Sequence, residues 1–381
     1  MPIRTTCADP LDDVAQAGPF LKRGYGLAAE FENDYQQRYR GLMTRRLLAP
    51  VVLGTASVLA LAGCAGTTTQ TDAAAPADGV VTVVASTDVY GSIAEAVGGD
   101  LVDVQSIITS PSQDPHEYEA SAQDQLTLKN AGLVIENGAG YDSFMESLIE
   151  ASGTTAPVIT AVEYNHDYPG AEGHDDGASA EPSASADDHD HAEGEAHAEG
   201  DGHDHVEGFN EHVWYDPHTV EDLAAAIAQQ LGELAPDHVA DFNANAEAFT
   251  QQIEGLEDSL GQIETKDAAA KVFVTEPVPV YLIEAAGLDN ATPNEFSEAV
   301  EEGQDVPPAT LLESLQLIES GAVRVIIVNP QTGGAETTQV EDAAKAKGIP
   351  VIEFTETLPE GQTYISWMQS NITALSDALT A

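Results

Sequence analysis

Two sets of short, continuous apolar runs constrain the fold of this chain more than any other feature. Each run is rich in Val and Ile and is followed by an amphipathic segment. Continuous rather than alternating apolar character is typical of parallel strands that are covered on both faces. The predicted strands are Val80–Ser86, Val102–Ile108, Leu133–Glu136 and Val158–Thr160 in the first set, and Val272–Thr275, Val323–Val328 and Pro350–Phe354 in the second.

A long helical stretch separates the two sets. Asp216 is a good helix cap and Pro217 fits the first helical turn, so a helix should begin there and continue, with a break near Pro236, to about residue 265. We therefore predict an α/β fold with two lobes, each built on a mainly parallel sheet and joined by a long connecting helix. The predicted bounds are 80–217 for the first lobe, 218–265 for the connecting helices and 266–381 for the second lobe.

Residues 43–64 have the features of a secretory signal. Arg45 and Arg46 form a short basic region, and the apolar run that follows is too short to span a bilayer comfortably. The run ends in Leu-Ala-Gly-Cys, which resembles a bacterial lipoprotein cleavage box and predicts lipidation of Cys64; a plain signal peptide is the alternative. Residues 1–42 are predicted to be an over-called or unstructured extension, and residues 65–79 a flexible tether.

The charge of the chain narrows the classes of function. It carries 13 basic and 65 acidic side chains, a formal net charge of −52, which argues strongly against nucleic-acid binding. No cysteine follows Cys64, so an exported form would depend on its apolar core rather than on disulfides. The sequence has no His-Glu-x-x-His run, no phosphate-binding loop and no nucleophile elbow, so we predict that the protein is not an enzyme.

A histidine-rich tract indicates metal chemistry. Seven of the eleven histidines lie between residues 166 and 205, together with thirteen Asp and Glu and no Lys or Arg. Imidazole and carboxylate groups are ligands of borderline divalent metals. The low complexity of the tract predicts a disordered loop, 166–209, that cannot preorganise a tight site. We expect weak, accessory metal binding by His189, His191, His203 and His205; a plain solvated insertion is the alternative.

Four polar segments follow predicted strands or precede the connecting helix. They are Asp114–Glu119, Asn210–Pro217, Glu276–Pro277 and Asn329–Thr332. In open α/β sheets, ligands bind beyond the carboxyl ends of the strands. The first two segments belong to the first lobe and the last two to the second lobe, so we expect them to face each other and to form a metal site in the cleft between the lobes.

These segments resemble those of the metal-binding periplasmic and lipoprotein receptors of ABC transporters that take up zinc and manganese. The resemblance covers nearly all of Val80–Ala381, including the histidine-rich insertion, and implies a two-lobed receptor fold. The matching pieces are Ser-Thr-Asp-Val-Tyr-Gly at 86–91, Asp-Pro-His-Glu-Tyr at 114–118, Glu-Asn-Gly at 136–138, His-Val-Trp-Tyr-Asp-Pro at 212–217, and the segment Glu353–Trp367.

The resemblance also implies a set of metal ligands. In that family, the His of the Asp-Pro-His motif and the His before the Val-Trp pair bind the metal, which implies His116 and His212 here. A Glu after the first strand of the second lobe is a ligand in manganese-type members, which implies Glu276. The fourth ligand in those members is an Asp after a later strand, and the corresponding segment here lacks it. The fourth position is therefore expected to be water, Asn329 or Gln331.

Two imidazoles and one carboxylate are a reasonable ligand set for zinc, and manganese prefers more oxygen ligands. The implied function is an extracytoplasmic Zn²⁺ receptor that delivers its cargo to an ABC permease. We expect a monomer, attached to the outer face of the cell membrane by the lipid on Cys64. Two alternatives remain open: a manganese receptor of the same family, and a metal-buffering or adhesion lipoprotein without a transporter.

Overall fold

The computed structural model describes residues 80–169, 206 and 208–381. Cys64 and the accessory histidines His189, His191, His203 and His205 lie outside the described residues, so their roles stay predictions. Among the helices of the described ranges, none is both long enough and apolar enough to cross a bilayer.

The first lobe contains a four-stranded parallel sheet in the order β2-β1-β3-β4. Every strand lies within one residue of its predicted bounds, which confirms the parallel sheet expected from the apolar runs. The strands are β1 (Val81–Thr87), β2 (Val102–Ile108), β3 (Leu133–Glu136) and β4 (Val158–Thr160), and the helices are α1 (Asp88–Gly98), α2 (Ala122–Lys129) and α3 (Phe144–Ser152).

Two helices connect the lobes: α4 (Pro217–Leu234) and α5 (Val239–Asp267). The side chain of Asp216 accepts a hydrogen bond from the backbone N–H of His218, so it caps α4 as predicted. A short 3₁₀ turn that begins at Pro236 separates the two helices. Helix α5 has 29 residues and is therefore about 43 Å long.

The second lobe repeats the topology of the first, with a parallel sheet in the order β6-β5-β7-β8. The very short strand β6 and the helix α7 are additions to the predicted elements. The strands are β5 (Lys271–Val274), β6 (Asp289–Asn290), β7 (Val323–Val328) and β8 (Val351–Glu353), and the helices are α6 (Val280–Ala285), α7 (Asn294–Glu301), α8 (Pro308–Glu319), α9 (Ala335–Lys347) and α10 (Tyr364–Thr380).

Both sheets are buried on both faces. Val83 and Val84 are neighbours on β1 and are fully buried, but they pack into different apolar cores. In the second lobe, Phe273 and Val274 of β5 divide between two cores in the same way. This arrangement explains why the strands are continuous apolar runs, since each face of the sheet packs against helices.

One of these cores is shared by the two lobes. It contains Val83 from the first sheet and Val274 from the second, together with the buried face of the connecting helices. Helix α5 contributes Phe242, Phe249, Ile253, Leu256, Leu260 and Ile263 to this core. The lobes are thus joined by a continuous apolar interior as well as by the chain.

Hydrogen bonds between the lobes reinforce this packing. The hydroxyl of Tyr215 donates to the backbone oxygen of Thr355 at 2.7 Å, and the hydroxyl of Tyr364 donates to the backbone oxygen of Trp214 at 2.8 Å. All four residues lie beside the cleft-forming loops. These bonds fix the loop after β8 against the segment that carries His212.

Replacing Phe249 with Ala should lower the free energy of unfolding by about 3–5 kcal/mol, because it removes a large ring from the shared core. Both lobes should lose stability together, so urea unfolding followed by tryptophan fluorescence and by circular dichroism should give one coincident transition. Gln251→Ala, at an exposed position of the same helix, is the control and should change stability by less than about 0.5 kcal/mol. Two separate transitions would contradict a shared core.

Candidate metal centre

His116 lies in the loop that follows β2. Its backbone N–H donates to Oδ1 of Asp114 at 2.9 Å, a local turn that fixes the loop. The imidazole is partly buried and packs edge-on against the ring of Tyr141, with the ring centroids 5.0 Å apart. The Asp-Pro-His motif thus places an imidazole at the carboxyl end of the first sheet.

His212 is held by Asn210, two residues earlier. Oδ1 of Asn210 accepts from the backbone N–H of His212 at 3.2 Å and contacts Nδ1 of its ring at 2.7 Å. Because Oδ1 is an acceptor, this contact favours the tautomer with the proton on Nδ1. The lone pair is then on Nε2, which is the form of imidazole that binds a metal.

A carboxylate from the second lobe joins the two histidines. One ligand atom from each of His116, His212 and Glu356 lies within 4.8 Å of the other two. Glu356 follows β8 and is buried, as is His212. Two imidazoles and a carboxylate at this spacing need only a small contraction to share one divalent cation. The structure therefore brings together both histidines expected from the sequence, across the cleft between the lobes.

Glu276 lies outside this group of three but is linked to it by a single amide. Nδ2 of Asn329 donates to Oε2 of Glu276 at 2.7 Å and to Oε1 of Glu356 at 2.6 Å. The hydroxyl of Thr332 also hydrogen-bonds Glu276. Glu276 follows β5, Asn329 follows β7 and Glu356 follows β8. The carboxyl ends of three neighbouring strands therefore supply this network.

The two amides proposed for the fourth position have other roles. Oδ1 of Asn329 accepts from the backbone N–H of Gln331 at 3.0 Å. Oε1 of Gln331 in turn accepts from the backbone N–H of Glu356 at 2.7 Å and from that of Thr357 at 3.3 Å. Both carbonyl oxygens are therefore engaged: that of Asn329 holds the loop after β7, and that of Gln331 holds the loop after β8. Oε1 of Gln331 and Nδ2 of Asn329 orient Glu356, which is the better candidate for a fourth ligand.

Sequence reasoning missed Glu356 although a signal was available. Glu356 comes two residues after the predicted strand Pro350–Phe354, within the matching segment Glu353–Trp367, and the strand-end rule applies to it as it does to Glu276. Glu301 was also missed, because it ends a helix that was not predicted.

Burial changes the protonation of the carboxyl groups. It raises the pKa of Glu276 to about 7, with the charge of Asp114 adding to the effect and the hydrogen bond from Asn329 opposing it. It raises the pKa of Glu356 to about 8, again with help from the charges of Glu276 and Asp114. Burial and neighbouring carboxylates also raise the pKa of Glu301 well above its usual range. The carboxyl groups of the cleft therefore keep their protons up to near-neutral pH, and a bound cation would favour their ionised form.

Aromatic rings form the back of the site. Tyr141 and Trp214 are fully buried, with ring centroids 4.6 Å apart, and both contact the histidines edge-on. The rings exclude water from one side of the imidazoles. Burial also raises the pKa of the Tyr141 hydroxyl well above its usual range, so this ring stays neutral beside the carboxyl groups. Rings packed in this way orient ligands and control the access of water to them.

Residues 83–378 match the family described as zinc-uptake complex component A, periplasmic. The chain is 25% identical over 336 residues to the iron ABC transporter substrate-binding lipoprotein MtsA of Streptococcus pyogenes, over 85% of this chain and 95% of the relative. It is 24% identical over 335 residues to the manganese ABC transporter substrate-binding lipoprotein scaA of Streptococcus gordonii, over 84% of this chain and 96% of the relative. Its fold is similar to that of a mutant of the laminin-binding adhesin Lmb of Streptococcus agalactiae, with a TM-score of 0.59, 21% identity, and coverage of 78% of this chain and 99% of the other.

The two-lobed α/β fold and the imidazoles and carboxylates in its cleft agree with the class that the family match defines. The match extends over most of the chain, so the chain belongs to the family of zinc-uptake complex component A. It is a metal-binding receptor of an ABC importer. Receptors of this class lie outside the cytoplasm and work with a permease in the membrane. This confirms the family expected from the sequence motifs.

The raised carboxyl pKa values predict a pH-dependent stability of the metal-free protein. Between an ordinary carboxyl pKa of about 4.3 and the values near 7 and 8, the folded state keeps protons that the unfolded state has released. The free energy of unfolding contributed by these groups should therefore fall as pH rises from about 5.5 to 8. Thermal unfolding at several pH values between about 5.5 and 8 measures this fall in stability. It should be carried out on the wild type and on the double variant Glu276→Gln, Glu356→Gln.

The wild type should lose more stability over this pH range than the double variant, which cannot titrate at these positions. Excess zinc should reverse the trend in the wild type, since ionised carboxylates are the form that binds metal. Parallel pH profiles of the two metal-free proteins would contradict the assignment.

Proposed function

We propose that this receptor binds Zn²⁺ in the cleft and delivers it to the permease. The proposed ligands are His116, His212, Glu276 and Glu356. The observation that carries the proposal is the group of His116, His212 and Glu356, whose ligand atoms lie within 4.8 Å of one another between the two lobes. Glu276 completes the set, because Asn329 already holds its carboxylate beside that of Glu356.

Three features favour zinc as the cargo. Two imidazoles suit zinc better than manganese, and the contact of Nδ1 of His212 with Asn210 favours the tautomer in which Nε2 is the metal-binding nitrogen. The histidine-rich tract adds further imidazoles to the same chain. The family is described by zinc uptake. Manganese is the alternative within the same site, since Glu276 and Glu356 together supply two oxygen ligands, one more than the sequence alone indicated.

The two lobes should move little during binding. Helix α5 and the shared core join them, and hydrogen bonds such as Tyr215 to Thr355 fix the loops at the mouth of the cleft. We propose that metal binding contracts the site rather than closing the lobes widely. The mature protein is proposed to act as a monomer anchored by the lipid on Cys64, and to bind its cargo without catalysis.

Metal titration of the mature protein tests the ligand set. Wild type should bind Zn²⁺ with a dissociation constant of about nanomolar order, and His116→Ala and Glu356→Gln should each weaken binding by at least about 10–100-fold. His218→Ala is the matched control, because His218 is an exposed histidine that pairs with Glu257 on the connecting helices. A variant that lacks residues 166–205 should keep the tight site. Tight binding that depends on the tract and ignores His116 would overturn the assignment.

A metal-buffering or adhesion lipoprotein is the second candidate, and the similarity to the fold of a laminin-binding adhesin keeps it open. A deletion strain separates the two roles. Transport predicts poor growth under chelation, restored by added zinc and by the wild-type gene but not by the His116→Ala gene. Unchanged growth of the deletion strain under chelation would favour buffering or adhesion.

A further inference from the structure

A further carboxylate of the second lobe faces the histidines. Glu301 is the last residue of α7, and its Oε1 lies 3.6 Å from Nε2 of His212. The side chain of Glu301 is 13% exposed and that of His212 is 1% exposed, so the contact is largely closed to water. Within the part of the chain that the structure describes, Oε1 of Glu301 is buried and accepts no hydrogen bond.

The distance between these two atoms matches the spacing of two ligands on one metal ion better than that of a hydrogen bond. It exceeds the range of about 2.7–3.2 Å for a good N–H···O hydrogen bond. Two ligand atoms that are each about 2.0–2.1 Å from one cation lie roughly 3.3–3.6 Å apart at tetrahedral to trigonal angles. Nε2 of His212 and Oε1 of Glu301 are therefore spaced like two ligands of one metal ion.

Glu301 also belongs to a second group of ligand atoms. One atom from each of His116, Glu211 and Glu301 lies within 4.8 Å of the other two. This group shares His116 with the group that contains Glu356. Glu301 therefore approaches both histidines, His212 through its Nε2 and His116 within this second group.

The surroundings of Glu301 differ from those of Glu276. The oxygens of Glu276 accept hydrogen bonds from Asn329 and Thr332, which already compensate part of its burial. The ionised form of Glu301 is disfavoured first by burial and then by neighbouring carboxylates, both of which raise its pKa. No hydrogen-bond donor among the described residues compensates the charge on Oε1 of Glu301. A bound divalent cation would compensate that charge directly.

We propose that Glu301 is an additional oxygen ligand of the transported cation and that it determines how well the site accepts manganese. The inference rests on the proposed function, since it assumes that the cation binds at His116 and His212. With Glu301, the site offers two imidazoles and three carboxylates. Zn²⁺ is satisfied by four ligands, whereas Mn²⁺ prefers a larger number of oxygen ligands. Glu301 therefore stabilises bound Mn²⁺ more than bound Zn²⁺.

Competitive titrations of Mn²⁺ and Zn²⁺ with Glu301→Gln test the proposal. The variant should bind Mn²⁺ at least about 10-fold more weakly than wild type does, and Zn²⁺ less than about 3-fold more weakly. Glu302→Gln is the matched control, because Glu302 is the next residue and is exposed. It should leave both affinities within about 2-fold of wild type. Equal losses for both metals in Glu301→Gln, or no loss, would overturn the proposal.

The spectrum of bound Co²⁺ gives a second measurement that a purely structural role would not change. In the wild type, Co²⁺ should be five-coordinate and should absorb weakly in the visible range. In Glu301→Gln, Co²⁺ should be four-coordinate and should absorb more strongly. Identical spectra would contradict direct ligation by Glu301. If wild type binds Zn²⁺ tightly through His116 while Glu301→Gln changes nothing, only this inference fails. If wild type binds neither metal, the proposed function fails as well.

Discussion

Burial of several carboxyl groups beside two imidazoles is the constraint on which the site depends. An ionised carboxylate removed from water is costly unless a cation or hydrogen-bond donors compensate it. In the metal-free protein, burial raises the pKa values of Glu276 and Glu356 to about 7 and 8, so protons partly take that role. A divalent cation would replace those protons. Metal binding would then release protons from these carboxyl groups, so that the affinity for the cation depends on pH.

The fold explains how this charge is concentrated. Both lobes use the same strand order, so loops of the same kind leave the carboxyl ends of the two sheets and meet between the lobes. The shared core and helix α5 join the lobes, so the loops face each other across the cleft. Amide side chains support this arrangement, since Asn329 and Gln331 orient the carboxylates that follow β5 and β8. The proposed ligands are thus held by a hydrogen-bonded outer layer.

The sequence predicted the features that depend on local pattern. The buried parallel strands were found because each needs a continuous apolar run, and the loops of His116 and His212 were found because their motifs are distinctive. The structure brings these two histidines together, as expected. Glu356 follows a strand as Glu276 does, but only the structure shows that Gln331 holds its loop beside the histidines. Glu301 ends a helix of only eight residues, whose apolar signal is limited to Phe296 and Val300, and its approach to His212 depends on tertiary packing.

One divalent cation is proposed to bind between the lobes to His116, His212 and Glu356. Anomalous diffraction at the zinc absorption edge, from crystals of the mature protein grown with one equivalent of zinc, locates this ion. We expect one dominant peak about 2.0–2.2 Å from a nitrogen of each histidine and from a carboxylate oxygen of Glu356. Peaks confined to exposed residues such as His218, with none between the lobes, would contradict it.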